Sequence, residues 1–230
     1  MKIISYFLAV FLTSSLALAD DRPNSAIKPT HRLKNPVWKK RFEELKSTPS
    51  TSDIVFLGDS ITEGWNYTGT FKKYFSSQVF NAGFAGDRTQ HVLWRLQNGQ
   101  ISHLNPKLIV LMIGTNNTLS NTPQEIASGI KTILDELKSR KPNAKVLLIG
   151  IIPSGANPTA QRRIENNQVN QIIKGFTEDN KIFYWNADYI FLEKNGKISK
   201  KIMKDYLHPS NLAYREWAKA MAPRINKILQ

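Results

Sequence analysis

A serine that follows an apolar run has the position expected of a nucleophile. Ser60 comes after the run Ile54–Leu57, with only Gly58 and Asp59 between them. Consecutive large apolar residues are typical of a strand buried on both faces, and open α/β sheets place their chemistry at the carboxyl ends of such strands. Ser60 is therefore a candidate nucleophile. The alternative interpretation is that Asp59 and Ser60 only cap the helix that follows.

One of the four histidines has a carboxylate close by in the sequence. His208 follows Asp205 by three residues, so the carboxylate can hold one ring nitrogen and leave the other free to act as a base. The alternative is an exposed pair beside a helix start. His91 lies four residues after Asp87, which is also the expected N-cap of the helix that carries His91. The other two are expected to be surface or packing residues: His31 and His103.

Two further segments follow predicted strands and could supply hydrogen-bond donors. Gly86 lies against the start of a helix, where free backbone N–H groups favour negative charge. Asn116 follows the strand predicted at 108–113 and carries an amide donor. An ester hydrolase needs such donors around the developing oxyanion. The alternative is that both residues only form turns.

The elements that would position these residues alternate along the chain. Unbroken apolar runs predict strands, while apolar periodicity and capping residues predict helices between them. The predicted strands lie at 54–57, 79–81, 108–113, 146–151 and 182–185, and the main predicted helices lie at 37–46, 87–99, 122–140, 164–176 and 210–229. This order favours a three-layer α/β/α domain of about five parallel strands with right-handed crossovers.

The first residues have the pattern of a secretory signal peptide. A short positive start precedes an apolar segment and then small residues up to Ala19, which predicts residues 1–19 as the signal, with cleavage after Ala19. The alternative is an uncleaved N-terminal anchor. Residues 20–36 contain three prolines and few large apolar groups, so an extended arm is expected ahead of one domain at 37–230.

The composition limits the class of protein. The 230 residues suit one domain, and no cysteine is available for a disulfide or a metal site. Neither a metal nor another cofactor is expected, because the sequence also lacks a His-Glu-x-x-His helix and a phosphate-binding loop. The formal net charge of +14 favours anionic surroundings, such as a cell wall, an acidic glycan, a membrane surface or nucleic acid, and does not choose among them. The usual nucleic-acid-binding motifs are absent, so a specific nucleic acid is not an expected partner.

Four short blocks occur in order along the chain: Gly58-Asp59-Ser60, Gly86, Gly114-Thr115-Asn116 and Asp205-x-x-His208. Together they resemble the four blocks of the SGNH, or GDSL, hydrolase family. Residues 86–96 and 114–117 are similar to the catalytic subunits of intracellular platelet-activating-factor acetylhydrolase and to their bacterial relatives. The resemblance covers roughly residues 37–229.

The resemblance implies a role for each of these residues. Ser60 would be the nucleophile, His208 the general acid and base, and Asp205 the group that orients His208. The oxyanion would be held by the backbone N–H groups of Ser60 and Gly86 and by the side chain of Asn116. The family fold is a flavodoxin-like five-stranded sheet, which agrees with the strand count obtained from the apolar runs.

These features together predict a secreted serine esterase that acts through an acyl-enzyme. No insertion long enough to form a lipase-like lid is visible, so the expected substrate carries a short acyl group, most simply acetyl, on a carbohydrate or cell-wall glycan. The alternatives are a lysophospholipase or general short-chain carboxylesterase and, in another class, a non-catalytic polyanion- or glycan-binding protein.

Two details bear on the substrate. The chain has Ile61 where the family motif has leucine, a mild change of similar volume, and its predicted export argues against transferring the phospholipid substrate of the cytosolic acetylhydrolases. Three aromatic residues near the blocks could stack on a sugar or line an acyl pocket, or could only pack in the core or at its rim. These residues are Trp65, Tyr67 and Tyr206.

Overall fold

Five parallel strands form the centre of the molecule. The computed structural model describes residues 22–75, 79–118, 120–178 and 180–230, so the predicted signal at 1–19 lies outside the described residues. The strands are β1 (Ile54–Gly58), β2 (Val79–Gly83), β3 (Leu108–Met112), β4 (Lys145–Ile149) and β5 (Ile182–Trp185). They pair in the flavodoxin-like order β2-β1-β3-β4-β5. The predicted fold class is confirmed.

The helices that cover the sheet begin at recognisable capping residues. They are α1 (Pro36–Ser47), α2 (Ser60–Glu63), α3 (Thr70–Tyr74), α4 (Thr89–Gln97), α5 (Pro123–Arg140), α6 (Gln161–Ile173) and α7 (Asn211–Leu229). The clearest case is α5, where the Thr122 hydroxyl accepts from the Glu125 N–H and the Glu125 carboxylate accepts from the Thr122 N–H. The sequence did not predict α2 and α3, because four or five residues are too few to show a helical period.

The strands bury both of their faces, which explains why their sequences are unbroken apolar runs. In β1, Val55 and Leu57 pack on the side of α4, α5 and α6, while Ile54 and Phe56 pack on the side of α7. Each face of the sheet therefore has its own hydrophobic core. In a smaller third cluster, Trp38 and Phe42 pack α1 against the rest of the domain. Val37, in the first turn of the same helix, is 76% exposed and lies outside this cluster.

Strand register brings three loops to one edge of the sheet. Gly58, the last residue of β1, is paired with Gly83 at the end of β2 and with Met112 at the end of β3. The loops that follow these three strands therefore leave from neighbouring points. They carry the candidate residues Ser60, Gly86 and Asn116.

The predicted N-terminal arm packs on the domain in its described part. It contains a 3₁₀ turn at Ser25–Ile27, and Ala26 within that turn is fully buried. The carbonyl of Ala26 accepts a hydrogen bond of 2.8 Å from the Thr89 hydroxyl at the start of α4. Within the described ranges, no helix is both long and apolar enough to cross a membrane.

Candidate active site

Ser60 is presented by a sharp turn between β1 and α2. A Cβ at Gly58 would collide with the Thr62 side chain and the Met112 carbonyl, so this position of the strand requires glycine. Asp59 caps α2, because its Oδ1 accepts from the Ile61 N–H at 3.0 Å. Ser60 is the first residue of the helix. The capping interpretation is therefore correct for Asp59, and it leaves the Ser60 hydroxyl available for chemistry.

The structure brings Ser60, His208 and Asp205 into one hydrogen-bonded row. The Ser60 Oγ lies 2.9 Å from the His208 Nε2, and the His208 Nδ1 lies 2.6 Å from the Asp205 Oδ2. One ring nitrogen thus faces the hydroxyl while the other is held by the carboxylate. This arrangement allows the imidazole to take the hydroxyl proton and the carboxylate to stabilise the resulting charge.

The Asp205 side chain is fixed by the backbone of residues that follow it. Its Oδ1 accepts from the N–H groups of Leu207 at 3.0 Å and His208 at 2.8 Å. Partial burial favours the neutral acid, but the hydrogen bonds from the His208 ring and from these two N–H groups outweigh it and lower the Asp205 pKa to about 2. Asp205 is therefore ionised at neutral pH, as an orienting carboxylate must be.

The loop that carries Asp205 and His208 is tied to the loop after β4. Tyr206, between them, has a left-handed backbone with φ of 60°, and its carbonyl accepts from the Gly155 N–H at 2.8 Å. The buried guanidinium of Arg163 bonds the carbonyls of Ser154 and Gly155. The left-handed conformation of a tyrosine is costly, and these contacts hold it in place.

Two of the three candidate oxyanion donors, Gly86 and Asn116, lie in adjoining loops. Gly86 has φ of +73°, a left-handed conformation that glycine adopts readily. The N–H of the preceding residue, Ala85, donates to the Glu63 carboxylate at 2.7 Å, which ties this turn to α2. The Asn116 amide donates to the Asp87 carbonyl at 2.9 Å, and its nitrogen carries a second N–H. One N–H of the Asn116 amide therefore anchors the side chain, and the other can donate to an oxyanion.

The neighbouring Asn117 supports both donor loops from within. It is fully buried, and its Oδ1 accepts from the Thr89 N–H at 3.0 Å. Its amide nitrogen bonds the Gln90 and Asn121 side chains, each at 3.0 Å. The loop after β3 is therefore fastened to the first turn of α4.

Asp87 has a different role from the one predicted. The prediction that it caps α4 was wrong, because Arg88 takes the N-cap position and the Asp87 side chain turns into the core. There its Oδ2 pairs with the Arg95 Nε at 2.8 Å and its Oδ1 accepts from the Trp38 Nε1 at 2.7 Å. The Arg95 guanidinium also donates to the carbonyl of Gly58 at 3.3 Å. A buried ion pair therefore links the Gly86 turn to the strand that ends at the Ser60 turn.

Known proteins resemble this chain in sequence and in fold. A model of the GDSL-like lipase/acylhydrolase family matches residues 56–216. The chain belongs to this family. It is 35% identical over 179 residues to platelet-activating factor acetylhydrolase IB subunit alpha1 of Homo sapiens, covering 77% of each chain.

Solved structures of GDSL-like and related esterases share the fold. A GDSL-like lipase from Bacteroides thetaiotaomicron superimposes with a TM-score of 0.63 at 24% identity, covering 82% of this chain and 97% of that one. Est24, a carbohydrate acetylesterase from Sinorhizobium meliloti, gives 0.62 at 18% identity, covering 77% of this chain and 100% of that one. The chain is an esterase-type hydrolase of the GDSL-like family.

The remaining histidines of this GDSL-like hydrolase lie outside the Ser60 row. The His91 Nδ1 accepts from the Arg88 N–H at 3.0 Å and is 3.8 Å from the Asp87 Oδ1. Burial and the nearby arginines lower the His91 pKa to about 3, so this ring is neutral at neutral pH. His31 packs edge-on against Trp94, and the His103 Nε2 lies 3.0 Å from the carbonyl of Thr48.

The three aromatic candidates have separate positions. Trp65 is a core residue, 2% exposed and packed against Trp217 and Tyr214, so it cannot stack on a substrate. Tyr67 is 73% exposed, and its hydroxyl donates to the Glu63 carboxylate at 3.2 Å. Tyr206 is half-buried against the hydrophobic core on the α7 side of the sheet. Tyr67 is the one of the three whose ring is mostly open to solvent.

Asp59 is a fully buried acid next to the nucleophile. Burial raises its pKa to about 7; the Ile61 N–H works in the opposite direction, and the Asp87 carboxylate adds to the increase. Among the described residues, its Oδ2 has no hydrogen-bond partner. No three acidic, histidine or cysteine side chains gather in a metal-binding cluster within the same part of the chain.

Proposed function

We propose that this chain is a serine esterase that removes short acyl groups, most simply acetyl, from a carbohydrate or cell-wall glycan outside the cytoplasm. The observation that carries the proposal is the row formed by Ser60, His208 and Asp205, with contacts of 2.9 and 2.6 Å. Such a row activates a hydroxyl that is otherwise a weak nucleophile.

The proposed reaction proceeds in two steps. The Ser60 Oγ attacks the ester carbonyl carbon while the His208 Nε2 takes the hydroxyl proton, and Asp205 holds the opposite ring nitrogen. The tetrahedral intermediate then breaks its bond to the alcohol oxygen, which receives that proton from His208. Water attacks the acyl-enzyme with the same base, and the acid leaves as Ser60 regains its proton.

The negative charge on the carbonyl oxygen needs donors that are already in place. The proposed donors are the backbone N–H groups of Ser60 and Gly86 and the second N–H of the Asn116 amide. The Ser60 N–H belongs to the first turn of α2, where helix N–H groups have no intrahelical partner. The Gly86 turn and Asn116 are anchored by Glu63 and by the Asp87 carbonyl. Donors fixed before reaction avoid the cost of reorganising during it.

The substrate proposal rests on two supports. The relative from Homo sapiens is named as an acetylhydrolase, and the structural neighbour Est24 is named as a carbohydrate acetylesterase. Both names specify acetyl as the acyl group, although the molecules that carry it differ. The side chains of His208 and Asp205 are 43% and 54% exposed, which leaves room for a bulky alcohol beside the base. Export of the protein rests on the signal pattern at 1–19 and agrees with the net charge of +14.

A panel of chromogenic esters, from acetate to long acyl chains, followed by acetylated glycans, tests this function. The wild type should favour acetate, and Ser60→Ala should lower turnover by about 10⁶-fold, as in other serine hydrolases. Ser47→Ala, on the exposed surface of α1, is the matched control and should retain full activity. Preference for long chains would overturn the acetylesterase proposal in favour of a lysophospholipase. Salt-sensitive polyanion binding with no ester hydrolysis would favour the non-catalytic alternative.

A further inference from the structure

The arm ahead of the family-matched segment reaches the donor loops of the active site. The matched segment begins at residue 56, whereas the arm contacts the site from residues 25 to 32. The Ser25 Oγ accepts from the Asn121 amide at 2.9 Å, and the Thr30 N–H donates to the Gln90 carbonyl at 3.1 Å. The arm therefore lies against the loop after β3 and the first turn of α4.

Arg32 is the arm residue that meets the Gly86 turn. Its Nη1 donates to the carbonyl of Ala85 at 2.7 Å and lies 3.5 Å from the Asp87 Oδ1. A Cβ at Gly86 would be 3.0 Å from Nη1 and 3.3 Å from Nη2 of the same guanidinium. The guanidinium thus lies directly against the turn.

The contacted carbonyl and the proposed oxyanion donor belong to one peptide unit. The carbonyl of Ala85 and the N–H of Gly86 share a planar bond and point in opposite directions when that bond is trans, and no cis peptide occurs in the described residues. Fixing the carbonyl toward Arg32 therefore fixes the N–H away from it. A cation on the carbonyl also polarises the amide and strengthens its N–H as a donor.

We propose that Arg32 is a positioning residue for the oxyanion hole, because it holds and polarises the peptide whose N–H is supplied by Gly86. This inference rests on the proposed function. The Glu63 carboxylate holds the N–H of Ala85, which belongs to the preceding peptide unit, so α2 and the arm fix two successive peptides of this turn. The hydrolase fold thereby recruits a segment from outside the matched family region into its catalytic machinery.

The test compares Arg32→Ala with Arg22→Ala in the full chain, using 4-nitrophenyl acetate. Arg22 also joins the arm to a backbone carbonyl and a carboxylate, through Ser120 and Glu125, and so controls for loss of an arm anchor. Arg32→Ala should lower kcat about tenfold with KM nearly unchanged, since losing an oxyanion donor outright costs about 10²- to 10³-fold. Arg22→Ala should retain a kcat close to that of the wild type.

A second readout separates positioning from general structural damage. The rate at which a fluorophosphonate modifies Ser60 depends on the same oxyanion donors and should fall in parallel with kcat for Arg32→Ala. Arg32→Lys keeps a cation that can reach the Ala85 carbonyl but lacks the planar guanidinium that lies against the Gly86 turn, so it should recover part of the lost rate. Urea unfolding of each variant shows that the compared proteins are folded.

Several results would overturn the inference while the proposed function stands. One is an active wild type with equal kcat for the Arg32→Ala and Arg22→Ala variants. The others are an Arg32→Ala variant in which only KM changes, or one in which the phosphonylation rate of Ser60 is unchanged. If Arg32→Ala does not fold, an Arg32→Lys variant with wild-type kcat and phosphonylation rate would also overturn it. A wild type inactive on every ester would instead refute the proposed function.

Discussion

Replacing Asp59 with asparagine should change how stability depends on pH. Asparagine keeps the oxygen that accepts from the Ile61 N–H and nearly the same shape, but it cannot ionise. In the folded chain the Asp59 pKa is raised to about 7 from the ordinary value of 3.8, mainly because the carboxyl is fully buried. In the unfolded chain it returns to the ordinary value.

The direction in which the free energy of unfolding changes with pH follows from the number of protons that each state binds. Between about pH 4 and pH 7 the unfolded chain has lost the Asp59 proton while the folded chain keeps it, so the free energy of unfolding falls as the pH rises. At about 1.4 kcal/mol per pH unit, the loss from this one group approaches about 4 kcal/mol at neutral pH. Asp59→Asn removes this loss, and its stability relative to the wild type should therefore increase over the same window.

His91 acts in the opposite direction and has to be separated. Its pKa is lowered to about 3 in the folded chain, so the unfolded chain binds the extra proton and the free energy of unfolding rises between about pH 3 and 6.5. The wild-type profile therefore contains opposing slopes from several groups, His91 among them. The difference between wild type and Asp59→Asn cancels the His91 contribution and isolates Asp59.

Urea unfolding at 25 °C, followed by tryptophan fluorescence from pH 4.5 to 7.5, measures this difference. The free energy of unfolding of Asp59→Asn should gain about 3 to 4 kcal/mol on that of the wild type across this range. Ser47→Ala, which changes an exposed hydroxyl, should give a profile parallel to that of the wild type. Parallel profiles for Asp59→Asn and the wild type would refute the assignment of a raised pKa to Asp59.

Substitutions at three further positions test the packing, the oxyanion donor and the substrate. Arg95→Met should lower the free energy of unfolding by about 3 to 5 kcal/mol in urea, because it removes the buried cation that pairs with the Asp87 Oδ2; a loss below about 1 kcal/mol would contradict this role of the buried pair. Asn116→Ala should lower kcat on 4-nitrophenyl acetate by about 10²- to 10³-fold, and an unchanged kcat would exclude Asn116 as a donor. Tyr67→Ala should raise KM for an acetylated oligosaccharide, whereas Tyr67→Phe, which keeps the ring, should not; equal values for both would remove Tyr67 from the sugar contact.

The sheet was predictable because its strands are buried on both faces. The prediction for the third strand, 108–113, exceeds the observed strand Leu108–Met112 by one residue, since apolar burial continues past the last ladder pairing. The helix α5 was predicted at 122–140 from its apolar periodicity and its capping residues. Signals of this kind lie within one element and need no knowledge of the rest of the fold.

The residues that hold the site together were harder to predict. The row from Ser60 to Asp205 was accessible because strand ends and a three-residue spacing are local patterns. The contacts of Arg95 with Gly58 and of Arg32 with Ala85 join residues far apart in sequence, and a charged residue has no periodicity that marks its partner. Local capping rules gave the wrong role for Asp87 for the same reason, because a buried ion pair decided its orientation.

Peptide mapping of the protein after inactivation by a fluorophosphonate tests the central claim most directly. The probe forms a stable bond with an activated serine and should modify a single residue, Ser60, with loss of activity in proportion to the modified fraction. The same reagent should leave the Ser60→Ala variant unmodified. Modification of another residue with equal loss of activity, or full activity in protein modified at Ser60, would contradict the assignment of Ser60 as the nucleophile.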